Sequence, residues 1–147
     1  MIEFSINEAD KDKDYIKRPG AYGLIKNHLE AIAIIKTKTG YFLPGGGLDD
    51  QELLDECLRR ECLEEIGAEI IVLDNFACGN YYFYSTKFNV HMESVGYFFV
   101  CKINKFLDVL TEDDHELVWL EPEEAIKLLY LDNQREAVRI FKDTKFK

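Results

Sequence analysis

Residues 43–68 read LPGGGLDDQELLDECLRRECLEEIGA, three consecutive glycines followed by a long segment of charged and aliphatic residues. Asp49 and Asp50 stand where a helix N-cap acceptor is needed, and Glu52 can close a capping box with Asp49. Gly67 can adopt the left-handed conformation that ends many helices. The stretch therefore predicts a glycine loop that leads into an amphipathic helix.

One face of the predicted helix changes character along its length. At about 100° per residue, the residues on this face are Leu54, Cys57, Leu58, Glu61 and Glu65. Glu64 lies on the flank of the same face, so three carboxylates converge at spacings of three and four. Like charges on a half-buried surface repel one another and lose hydration. A divalent cation would compensate for both effects.

The residues alone leave two interpretations of this cluster open. Mg²⁺ prefers carboxylate oxygens and commonly bridges a protein to substrate phosphates, and glycines 45–47 would let the backbone approach those phosphates. Alternatively, the glutamates form a solvated helix end paired with Arg59 and Arg60, as charge runs usually do. Because Glu61 and Glu65 lie on the apolar face, the metal site and the solvated helix end are equally well supported by the residues alone.

The stretch resembles the Nudix box, G-x5-E-x7-R-E-U-x-E-E-x-G-U, in which U is a bulky aliphatic residue. The matching residues are Gly46, Glu52, Arg60, Glu61, Cys62, Glu64, Glu65, Gly67 and Ala68. Every fixed position agrees, and Cys62 and Ala68 depart only in size, which concerns packing rather than chemistry. The resemblance implies an α/β (α+β) fold, the Nudix-type α/β/α sandwich with a mixed β-sheet between helices.

The resemblance also implies a metal site with Mg²⁺, for which Mn²⁺ can substitute. Its expected ligands are a carbonyl of Gly45 with Glu61, Glu64, Glu65 and Glu112. In this family a loop before the last strand often adds a ligand or a base, and the candidates there are Glu112, His115 and Glu116. A solvated acidic loop is the alternative for most of that segment.

Within the box, the resemblance implies catalytic roles for four residues. Glu61 and Glu64 are both eligible to take the proton of the attacking water. Arg60, paired with Glu52, would hold the carboxylates in place. The choice between Glu61 and Glu64 stays open.

Outside the box, runs of strand composition alternate with turns. The expected elements are an edge strand within Met1–Lys17, a hairpin of Leu29–Thr37 with Tyr41–Leu43, strands at Glu69–Leu73, Phe76–Ser85, Met92–Lys105 and Leu117–Leu120, a helix with Pro122 in its first turn, and a helix from about Asn133 to Phe141. This order is also similar to that of a Nudix domain.

Composition restricts the function classes. The 147 residues predict one domain, residues 1–147, and the net charge of −10 argues against a nucleic acid polymer or an anionic membrane as partner. The four cysteines lack metal-binding spacing, which favours small core residues over zinc ligands. With no signal peptide and no long apolar run, we expect a cytoplasmic protein with reduced thiols. A homodimer is left open.

The resemblance implies a MutT-like pyrophosphohydrolase, an acid anhydride hydrolase that splits a nucleoside diphosphate linked to another group. The alternative is a non-catalytic Nudix-like sensor, which the intact box glutamates disfavour. Gly46, Gly47 and Arg18 are candidates to contact substrate phosphates, although an exposed arginine is more often simply solvated. Within the aromatic run 81–84, Tyr82 is the candidate platform for a base, and two of the four rings are expected in the core.

Overall fold

The structure is a computed structural model that describes residues 1–144. Its elements, in chain order, are β1 (Ile2–Ser5), β2 (Ile16–Ile25), β3 (Ile32–Lys36), β4 (Tyr41–Phe42), β5 (Gly45–Gly47), α1 (Leu54–Ile66), β6 (Ala68–Ser85), β7 (Val90–Phe106), β8 (Glu116–Leu120), α2 (Pro122–Leu128) and α3 (Asp132–Asp143). Among these residues no helix is long and apolar enough to cross a membrane.

Two sheets form the middle of the molecule. The larger has the strand order β1-β6-β7-β2-β5 and mixes parallel with antiparallel pairs, and the smaller has the order β4-β3-β8. One apolar cluster, which includes Phe98 and Val138, packs α2 and α3 against the sheets. A second, which includes Leu58 and Phe99, packs α1 against them. The expected α/β/α sandwich with a mixed sheet is confirmed.

Helix α1 ends as the sequence predicts and begins later than expected. Gly67 takes the left-handed conformation with φ of 65°, and its N–H donates to the carbonyls of Cys62 and Leu63. At the other end, Asp49 is not the N-cap. Glu52 Oε1 accepts the Asp49 N–H at 2.9 Å in a turn before the helix. The helix starts after Leu53, whose N–H donates to Glu56 Oε1 at 3.0 Å.

The apolar stripe of α1 is buried as its periodicity predicts. Cys57 and Leu58 are fully buried, Leu54 and Glu61 are partly buried, and Glu65 at the end of the stripe is 5% exposed. Cys62, beside the stripe, is fully buried too. Cys101 is buried as well, so three of the four cysteines are core residues and all four are free thiols. Cys62, at one aliphatic position of the box, therefore serves packing.

Strand β6 is longer than the sequence indicates. The two runs expected at Glu69–Leu73 and Phe76–Ser85 join into one strand, paired throughout with β7. The register shifts three times along this pair, near residues 70, 73 and 76. Asp74 and Asn75 stay paired with β7, and the two bulges on β6 lie at Leu73 and Phe76, on either side of them. Each bulge changes which side chains face which side of the sheet.

The outer edge of β6 is occupied in two ways. Strand β1 pairs with it in parallel from Ala77 to Asn80. Beyond β1, the amide of Asn7 donates from Nδ2 to the Tyr82 carbonyl at 2.8 Å and accepts the Tyr82 N–H at its Oδ1 at 2.9 Å. The edge strand expected within Met1–Lys17 is thus β1, and a side chain continues its pairing by one more residue.

Candidate active site

The three glycines form a short edge strand, β5, and not a loop as the sequence suggested. They pair antiparallel with residues 20–22 of β2. Gly45 has a φ of +137°, and a Cβ there would lie 2.1 Å from the Ala21 carbonyl oxygen, so only glycine fits. A Cβ on Gly46 would lie 2.7 Å from the Glu61 Cδ. The backbone of β5 therefore packs directly on the box carboxylates.

Arg60 organises one half of the box. Its Nε and Nη2 donate to Glu52 Oε2 and Oε1 at 2.7 and 2.9 Å, a bidentate pair. These hydrogen bonds are the main cause that lowers the pKa of Glu52 to about 2. Nη1 donates to Glu61 Oε1 at 2.9 Å and to Glu64 Oε2 at 3.2 Å. One guanidinium thus contacts three box carboxylates, and the positioning role of Arg60 and Glu52 stays a prediction.

Glu65 lies in the other half of the box, under β5. The Gly45 N–H donates to Glu65 Oε1 at 2.9 Å. Glu65 Oε2 lies 3.2 Å from His115 Nδ1, which also lies 3.1 Å from Glu112 Oε2. Burial raises the pKa of Glu65 to about 8 against the Gly45 hydrogen bond, and the charges of Glu61, Glu112 and Glu64 raise it further.

The carboxylates have the chemistry of a divalent-cation site. Burial raises the pKa of Glu61, which the hydrogen bond from Arg60 opposes and the charges of Glu64 and Glu112 reinforce. Carboxyl groups that are half-buried and close together ionise less readily, and a hard divalent cation would stabilise their ionised form. In residues 1–144, however, no three such side chains already surround one point as a closed cage. The donor set fits, and the metal site itself stays a prediction.

A cleft of about 450 Å³ opens beside β5 and Glu65. Its polar wall includes Arg18, glycines 45–47, Glu65 and His115, and its other walls include Tyr22, Phe42, Phe83, Tyr84, Phe88, Ser94, Tyr130 and Gln134. This volume lies within the range of small-molecule sites. Box residues and aromatic rings therefore line a single space.

The candidate substrate contacts divide into those that line the cleft and one that does not. Arg18, Gly46 and Gly47 line it, and a Cβ on Gly47 would lie 3.2 Å from the Arg18 guanidinium. Tyr82 does not line it, because its ring packs edge-on against Tyr15 with centroids 4.9 Å apart. Phe83 occupies the cleft wall instead.

Two further expectations for the aromatic run and the acidic loop need correction. None of residues 81–84 is fully buried, because Tyr81 and Phe83 stack on each other at 5.1 Å near the surface. In the loop before β8, His115 and Glu112 approach Glu65. Glu116 instead begins β8 and is exposed.

Sequence reasoning missed the role of α3 in the cleft. Gln134 is 1% exposed, and its Oε1 accepts the Leu43 N–H at 2.8 Å across 91 residues of sequence. The helix itself was expected from about Asn133 to Phe141 and spans Asp132–Asp143. The available signal was spacing, because Gln134 stands three, four and seven residues before the apolar Ala137, Val138 and Phe141 and so falls on their face of the helix.

A mixed sheet between helices, with a glycine edge strand set against a glutamate-rich helix, defines the class of the Nudix α/β/α sandwich. The NUDIX domain family model matches residues 17–141, and the chain belongs to the Nudix family. No curated protein shows a significant sequence match.

Solved structures agree on the fold at low sequence identity. A NUDIX hydrolase from Nitrosomonas europaea has a TM-score of 0.72 at 13% identity, over 87% of this chain and 90% of that one. The dihydroneopterin triphosphate pyrophosphohydrolase of E. coli has a TM-score of 0.67 at 13% identity, over 84% and 93%. An Ap4A hydrolase of C. elegans, solved as a binary complex, has a TM-score of 0.65 at 18% identity, over 87% and 96%.

Proposed function

We propose that this protein is a Nudix-type pyrophosphohydrolase that hydrolyses a diphosphate bond in a nucleoside diphosphate linked to another group. One observation carries the proposal: β5 packs on Glu61 and Glu65, and its glycines line a cleft together with several aromatic rings. Phosphates suit the glycines, where backbone can approach closely. A flat heterocycle suits the aromatic rings.

We propose Mg²⁺ as the cofactor, with Mn²⁺ as a substitute. Glu61, Glu64, Glu65 and Glu112, with a carbonyl of Gly45, would hold it. When bound, the metal neutralises phosphate charge and lowers the pKa of a coordinated water. The raised pKa values of Glu61 and Glu65 support this assignment, because both carboxylates gain most from a nearby cation.

Other side chains of the site have separate proposed roles in positioning, proton transfer and phosphate binding. Arg60, anchored on Glu52, holds the Glu61 and Glu64 carboxylates in place. Glu61 is the better supported of the two candidate bases, since burial moves its pKa toward neutrality and it stays half-buried. Glu64 is more exposed. Arg18, beside Gly47 in the cleft, would bind a phosphate oxygen and so orient the diphosphate.

The substrate class is a small nucleotide derivative. The names of solved structures with this fold support a broad class of small nucleotide derivatives, because one is a pyrophosphohydrolase for dihydroneopterin triphosphate and another is a hydrolase for Ap4A. The cleft is of a size for one such molecule, and the net charge of −10 favours a small ligand over a nucleic acid polymer. Residues 1–147 would act as one Nudix domain, in the cytoplasm, where its four free thiols stay reduced.

A hydrolysis screen tests the proposal. Nucleoside triphosphates, oxidised nucleotides, dinucleoside polyphosphates, ADP-ribose and nucleotide sugars are each incubated with Mg²⁺, and products are separated by chromatography. We expect one group to be cleaved into two phosphate-containing products, and Glu65→Gln to remove most of that activity.

Glu69→Gln is the matched control, because Glu69 is exposed on β6 and contacts Asn104 instead of the cleft. It should retain wild-type turnover. Binding without cleavage across the whole panel would instead identify a non-catalytic sensor. Full activity of Glu65→Gln would contradict the assignment of the site.

A further inference from the structure

One residue of the cleft wall, Gln134, carries a buried hydrogen-bond donor with no partner in residues 1–144. Among the described residues, nothing accepts a hydrogen bond from Gln134 Nε2, and that atom is buried. A buried polar group without a partner costs free energy, so such groups in native structures generally have a role or a missing ligand. Gln134 lies in the cleft wall with Phe83, Tyr130 and Leu131.

The orientation of the Gln134 amide is fixed by its neighbour. The Leu43 backbone N–H can only donate, so the atom 2.8 Å from it must be the amide oxygen. Rotating the amide by 180° would set two donors against each other. Leu43 is itself fully buried between β4 and β5, so this contact does not move to solvent. The free position is therefore an N–H donor.

A second neutral group lies close by in the fold. Asn133, next to Gln134, donates from Nδ2 to Ser94 Oγ at 3.2 Å, and Ser94 lines the cleft. Because that oxygen already accepts, the Ser94 hydroxyl hydrogen is available as another donor. The Gln134 amide and the Ser94 hydroxyl are thus two uncharged hydrogen-bond donors. Uncharged donors suit the acceptor atoms of a neutral ring, whereas phosphates suit Arg18 and the glycines of β5.

We propose that Gln134 determines base selectivity, by donating from Nε2 to a ring carbonyl of a heterocycle held against the aromatic rings of the cleft. This inference rests on the proposed function, because it assigns the group attached to the diphosphate. Oxo-substituted bases present such an acceptor at the ring edge, whereas adenine presents an amino donor there. Two donors facing each other leave both unpaired, and a site built for a hydrogen bond rejects such a ligand strongly.

The test measures binding and does not depend on hydrolysis. Nucleoside monophosphates are titrated into the wild-type protein in EDTA by calorimetry, as pairs that differ in one carbonyl. The pairs are inosine with purine riboside monophosphate, and uridine with zebularine monophosphate. Purine riboside lacks the carbonyl at C6 of inosine, and zebularine keeps the carbonyl at C2 of uridine but lacks the one at C4. We expect the member with the additional carbonyl in at least one pair to bind about tenfold more tightly or better. Equal binding within both pairs, the result if an internal water is the partner of Nε2, would overturn the proposal.

A variant gives the second arm. Gln134→Met keeps the length of the side chain and removes the donor. The ratio of the two dissociation constants within the pair should therefore fall towards one. Gln51→Met is the control, since Gln51 is exposed in the turn before α1 and does not line the cleft. An undiminished preference in Gln134→Met, with folding verified by thermal unfolding, would overturn the assignment. If binding shows the preference while the screen finds no cleavage, the selectivity stands and the hydrolase proposal fails.

Discussion

Glu65→Gln should make the metal-free protein more stable at neutral pH and remove much of the pH dependence of its stability. Burial raises the pKa of Glu65 from its ordinary 4.5 to about 8 in the folded protein. The folded state therefore holds this proton more tightly than the unfolded chain does. Stability contributed by the protonated form is complete below about pH 4.5 and is lost as the pH rises towards 8.

The magnitude follows from the pKa difference. Each proton by which the folded and unfolded states differ changes the unfolding free energy by about 1.4 kcal/mol per pH unit. Between pH 5 and pH 7.5 the wild-type protein should therefore lose about 3 kcal/mol of unfolding free energy. The Gln amide keeps an oxygen that can accept the hydrogen bond from the Gly45 N–H, and it has no proton that titrates in this pH range. At pH 7.5 the variant should therefore be the more stable protein by an amount of that order.

Urea denaturation in EDTA, followed by circular dichroism at pH 5, 6, 7 and 7.5, measures this difference. Glu69→Gln serves as the exposed control and should follow the wild-type slope. Added Mg²⁺ should restore wild-type stability at pH 7.5 and should not help Glu65→Gln equally. A wild-type protein as stable at pH 7.5 as at pH 5, or a variant with the same slope, would refute the account of Glu65 as a buried carboxyl.

Three other predictions concern activity against whichever substrate the screen identifies. Arg60→Lys should lower kcat by about 10- to 100-fold, because a lysine cannot make the bidentate contact with Glu52; Arg59→Lys, measured alongside, should not. Chelation by EDTA should abolish turnover and Mg²⁺ or Mn²⁺ should restore it, and activity that persists in excess EDTA would exclude the metal assignment. Phe83→Ala should raise KM severalfold while Tyr82→Ala, outside the cleft, leaves it unchanged, and the reverse result would contradict the position of the cleft.

Local rules were sufficient for the end of α1 and for its buried face. Gly67 ends α1 because only a left-handed residue fits there, and the buried stripe follows from helical periodicity. The helix start was wrong because Glu52 and Glu56 are each placed to accept a backbone N–H three residues earlier. Spacing alone cannot decide which of two such turns opens the helix.

Features that depend on distant pairing could not be predicted. Residues 77–85 pair regularly with β7, so the rings of residues 81–84 alternate as expected. The bulges at Leu73 and Phe76 help to set which face of the sheet each ring takes, and the sequence does not reveal them. The approach of His115 to Glu65 and the contact of Gln134 with Leu43 both join segments far apart in the chain. Sequence could propose the residue types for a site, but the tertiary fold decides which of them meet.

The Asn7 amide on β6 also bears on self-association. An exposed strand edge is a template for another strand, and the backbone groups of Tyr82 would be the next free rung beyond β1. Asn7 presents to them the same donor and acceptor that an incoming backbone would use. A strand of a second copy that paired with β6 at this position would first have to displace Asn7. The side chain thus closes the edge of β6 at Tyr82, where β1 has ended, and leaves β1 and β5 as the edges of the sheet.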